Sequence, residues 1–159
     1  MKRRELLTRS TALVLPLGWC QQAQAHHGWS SFDQNRPIYL EGKALKVAWK
    51  NPHAELDLEI TPSLKLPPDL TQRKLPAQSA PVDSGLLAKT ALPKRLDKVW
   101  EIELAPLSRM QAWSVAEIKA GEQLAVVGFT FAEEKGQAVL RVEYLFAAGK
   151  VYGLRSSPV

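Results

Sequence analysis

Apolar and polar residues alternate in five stretches of the chain, and the alternation predicts five β-strands. The first covers residues 38–49. Ile38 and Leu40 share one parity, whereas Leu45, Val47 and Trp49 share the other. A two-residue period buries both sets only if the strand slips by one, and Gly42 is the expected slip. Asn51-Pro52 then makes a corner, because proline restricts its predecessor and has no N–H for a ladder. The second strand, residues 53–60, turns Ala54, Leu56, Leu58 and Ile60 inward and His53, Glu55, Asp57 and Glu59 away. The third, residues 99–105, turns Trp100, Ile102 and Leu104 inward and leaves Glu101 and Glu103 to solvent. Residues 123–131 and 138–146 give the fourth and fifth, with Leu140, Val142 and Tyr144 on one face. Between the third and fourth, residues 106–113 read as irregular or one helical turn. Ser114-Val115-Ala116-Glu117 has the form of a capping box opening a short helix that Gly121 stops. The predicted fold is mainly β: a five-stranded OB-like barrel with one short helix between strands three and four. An open β-sandwich is the other arrangement with this strand count. The tail from Arg155 reads as frayed.

Two segments break the alternation. Residues 61–98 hold six prolines and no sustained period, so they read as a mobile insertion in the barrel. Residues 1–25 have the three parts of an export signal: a basic head with Lys2, Arg3, Arg4 and Arg9, a short apolar run, and Ala23-Gln24-Ala25 for cleavage. Lys2-Arg3-Arg4 fits either the general secretory or the twin-arginine route. Cleavage leaves residues 26–159 as a single domain in a periplasmic location, with no stable membrane insertion because the apolar run falls short of the ~20 residues of a span.

Charge alters little. The formal +5 falls to +2 when a signal with four basic residues and one acid is removed, and the insertion holds seven basic residues against three acids. The body is therefore slightly acidic, which excludes a nucleic-acid binder. The one cysteine, Cys20, lies in the signal, so the mature chain has neither disulfide nor thiolate metal site.

Several motifs occur together: His26-His27 followed by Phe32-Asp33, Leu40-Glu41-Gly42, Trp49-Lys50-Asn51-Pro52-His53, Trp100-Glu101-Ile102-Glu103, and Trp113 with Lys119-Ala120-Gly121-Glu122. In these the chain resembles a family of small exported bacterial proteins classed as domain of unknown function 6152. The resemblance implies the fold and the location but no activity. It also implies a short turn where this chain has residues 61–98.

The candidate chemistry lies in the histidines. The chain has three, and cleavage after Ala25 would give His26 a free α-amine. An α-amine and the ring Nδ1 of one residue close a six-membered chelate. A second imidazole then completes a T-shaped three-nitrogen site, a histidine brace that favours copper. His53 is the preferred second ring, His27 the other candidate, and Glu55 and Asp57 could orient a ring by hydrogen bonds. The predicted site is thus His26, His53 and His27, in a non-catalytic copper-binding or copper-handling protein. No catalytic residues are assigned, since no acid completes a triad around Ser30 and Ser31. The alternative is a metal-free OB-like module that binds a periplasmic protein partner or a small ligand.

Overall fold

A computed structural model describes residues 28–159. The predicted export signal, His26 and His27 lie outside these residues. The strands are β1 (Ile38–Ala48), β2 (Glu55–Ile60), β3 (Val99–Glu103), β4 (Gln123–Phe129), β5 (Val139–Ala147) and β6 (Lys150–Gly153). Strand β1 is shared, pairing antiparallel with β2 through its second half and with β4 through its first. The sheet runs β3-β2-β1-β4-β5-β6, and a parallel pairing of β3 with β5 closes it. The result is the predicted closed five-stranded barrel, with β6 added as a hairpin on the end of β5. Its strand order is consistent with an OB-like fold.

The barrel fills with the inner face of each strand: Ile38, Leu40, Leu56, Leu58, Trp100, Ile102, Leu124, Val126, Leu140 and Leu145 are all buried in one cluster. Strand β1 bulges as expected, but at Leu45-Lys46, where Ala44 faces Leu58 and Val47 faces Leu56. Gly42 serves a different end. A Cβ there would stand 1.9 Å from the Glu59 carbonyl oxygen, so only glycine lets the strands approach. A second bulge in β5 explains why Tyr144 leaves the face of Leu140 and Val142: Val127 faces Tyr144, but Gly128 faces Val142.

The short helix between β3 and β4 exists, but it is α2 (Leu107–Ala112) rather than a helix opening at Ser114. Ser114 instead ends it. With φ at 52° it holds the left-handed position of a Schellman stop, in which Ser114 N–H meets the Gln111 carbonyl and Val115 N–H the Met110 carbonyl.

The Pro-rich segment is not loose. Residues 61–98 form a strap across the outer face of β1, β4 and β5. Leu70 in a 3₁₀ turn (Leu70–Gln72), with Leu86 and Leu87 in α1 (Leu86–Lys89), packs into a second buried cluster with Phe32, Tyr39, Val127, Phe129, Val139 and Tyr144. Barrel strands that would otherwise face water on one side are therefore apolar on both. The strap is also tied by polar groups. Glu134 accepts from the Lys94 and Arg95 N–H groups and pairs with Arg36. The tail is fixed as well: Ser79 N–H donates to the Ser157 carbonyl and Trp113 Nε1 to that of Ser156.

Candidate functional site

His53 follows a cis Asn51–Pro52 bond at the entry to β2, half-buried at the edge of the barrel. Its position derives from Ala54, whose N–H and carbonyl bond to Ala105 and Leu104 in the segment after β3. On the outer face here lie Glu55 and Glu103, paired across β2 and β3, and Arg141, which faces Glu103 across β3 and β5.

These side chains form a buried polar cluster. The Arg141 guanidinium donates to Glu103 at 3.0 Å, with both side chains nearly inaccessible. Its other terminal nitrogen lies 3.1 Å from His53 Nε2. A guanidinium only donates, so in this contact His53 Nε2 is the acceptor. The expectation that Glu101 and Glu103 form a solvated pair therefore fails at Glu103.

The arm at the start of the described chain covers this cluster. The Trp29 ring lies 5.2 Å from the Arg141 guanidinium carbon and 4.2 Å from that of Arg155. Trp29 also meets Phe129 edge-on at 6.3 Å, and Phe32 stacks on Phe131 at 5.1 Å. Arg155 donates to Glu143 at 2.7 Å and to Gln34 at 3.1 Å. Burial pushes the Glu143 carboxyl upward, although Arg155 and Gln78 pull the other way. Desolvation likewise lowers Arg109, whose charge also opposes that of Arg141, while it donates to the Leu154 carbonyl at 3.0 Å.

The structure thus places one predicted ligand, His53, and puts Trp29 next to the guanidinium that touches it. His26 lies three residues before Trp29, a stretch that spans at most ~10 Å. Among the described residues no group of three or more His, Cys, Asp and Glu side chains is placed to hold a metal, and none of their helices is long and apolar enough to cross a membrane. His53 fits a metal in one respect, since an accepting Nε2 is also the atom that ligation needs. In another respect it is preoccupied: its free electron pair already meets Arg141. The sequence reading missed Glu103, Arg141, Glu143 and Arg155. Strand parity assigns Glu103, Arg141 and Glu143 to solvent, and Arg155 falls in the tail; segments without strand periodicity, the arm, the tail and Gln78 of the strap, bring these groups together.

Residues 16–64 match the sequence model of a family described as "Family of unknown function (DUF6152)", the family that the motifs resemble. Comparison with curated proteins and with solved structures returns no match.

Proposed function

We propose, taking the likeness to a family without an assigned activity as the premise, that this chain is an exported copper-binding or copper-handling protein, non-catalytic, with its site at the mature N-terminus. The observation that carries the proposal is the seat of Trp29, three residues after His26 in the sequence, beside Arg141, the guanidinium that also touches His53. His26, through its α-amine and ring, and His53, through Nε2, would hold the ion, with His27 as the alternative ring. Copper bound there would supply one-electron redox chemistry. The chain itself orients the arm through Trp29, and Arg141 would release His53 Nε2 for the ion to take its lone pair.

The Arg141–His53 contact favours a second reading. A ring already satisfied by a guanidinium needs no metal, as in an OB-like module that binds a periplasmic protein partner or small ligand.

Cu(II) titration separates the two. Protein beginning at His26 should bind tightly, and His53→Ala or an additional N-terminal residue should each weaken binding at least ten-fold. Equal affinity in all three proteins would refute the copper site. Tight binding that ignores His53 would leave a terminal chelate without this partner.

A further inference from the structure

Beside the start of β3, the strap and the strand ends at Ile60 and Gln123 enclose an open cleft of about 940 Å³. That is the upper part of the ~300–1,000 Å³ range of small-molecule sites. His53 does not line it. Ile60, Leu64 and Leu92 form an apolar wall, and Leu96 stands at the mouth, 94% exposed.

Three cations surround this wall. Lys43 is paired with Glu59 at 3.2 Å and Arg95 with Asp97 at 2.5 Å. Lys98, exposed on the same rim, has no acidic partner among the described residues. The rim thus carries one uncompensated positive charge. The cleft also borders Trp100, whose ring lies under the Arg95 guanidinium at 5.5 Å. Trp100 Nε1 is buried with no acceptor, a donor that native proteins rarely leave open.

An apolar wall and one cation unpaired among the described residues select among ligands. Small polar metabolites use the cation but not the wall, and neutral lipids use the wall but not the cation. We propose that the cleft binds a fatty-acid-type carboxylate, with its chain along Leu64, Leu92 and Leu96 and its head group at Lys98.

Calorimetric titration of the mature chain with decanoate and dodecanoate, below their micelle concentrations, tests this. Dodecanoate should bind one-to-one, and each added methylene should tighten binding up to about four-fold, the fold-change equivalent to ~0.8 kcal/mol. Lys98→Glu and Leu96→Asp alter exposed side chains and should leave the thermal transition in place. Each should weaken dodecanoate at least ten-fold. Dodecanol, which has the chain without the charge, should bind at least ten-fold more weakly than dodecanoate. Failure of dodecanoate to saturate, indifference to both substitutions, or equal binding of dodecanol would each overturn the proposal.

Discussion

Leu87→Ala tests whether the strap belongs to the folded core. Leu87 is 6% exposed, and it packs with Leu86 and Leu70 on the outer faces of β4 and β5. Truncating a buried leucine costs ~2–5 kcal/mol, through lost transfer energy and the cavity left behind. The lower half of that range applies here, because α1 has four residues and can shift toward the gap. The expected loss is therefore ~2–3 kcal/mol. For a domain of this size that corresponds to a fall in Tm of about 6–12 °C. Urea unfolding followed by tryptophan fluorescence gives the free energy, and circular dichroism gives the Tm. Leu96→Ala, at a side chain 94% exposed in the same segment, is the control and should stay within ~0.5 kcal/mol of the parent. If Leu87→Ala unfolds with the same midpoint as Leu96→Ala, the strap contributes nothing to the core and the packing argument is wrong.

Two other consequences are measurable. Burial alone would raise the Glu134 carboxyl, but the N–H groups of Lys94 and Arg95 and the Arg36 guanidinium outweigh it and hold it below the usual range. A depressed folded value adds stability above the unfolded Glu value of ~4.3, and that stability is lost as pH falls through the folded value. The urea midpoint of the parent should therefore drop more steeply than that of Glu134→Gln between about pH 5 and pH 3; parallel curves would contradict the assignment. Glu103→Gln leaves the Arg141 charge buried without its counter-ion and should cost ~3–5 kcal/mol, whereas Glu103→Gln with Arg141→Met should recover part of that loss. A double variant less stable than the single one would show that the pair is not the source of the cost.

The barrel was legible from the sequence because its strands alternate. Ile38 and Leu40, Leu56 and Leu58, and Trp100 and Ile102 all point inward as their parity requires. The β1 bulge was legible in kind but not in place. Parity places the slip between Leu40 and Leu45, whereas the bulge falls at Leu45-Lys46 and leaves Leu45 exposed, and the glycine in that interval answers to a close strand approach. The strap left a signal in a different segment from its own. Residues 124–129, Leu-Ala-Val-Val-Gly-Phe, are apolar on both parities, and a strand of that kind needs cover on its second face. Of the candidate site, the Asn51-Pro52 corner and the exposed parity of His53 followed from local rules. Arg141 was not accessible in that way: its contacts with Glu103, His53 and Trp29 span separations that no local pattern encodes.

Trp29 precedes the first strand, and one of the two guanidinium groups around it belongs to Arg155, beyond the last. The barrel itself closes only when β5 reaches β3. On a ribosome the arm therefore emerges well before the strands that seat it, and it has no seat until nearly all the rest has followed. Seating of the arm is then a late step of folding, and a fusion joined close behind Arg155 would disturb the arm around Trp29 first.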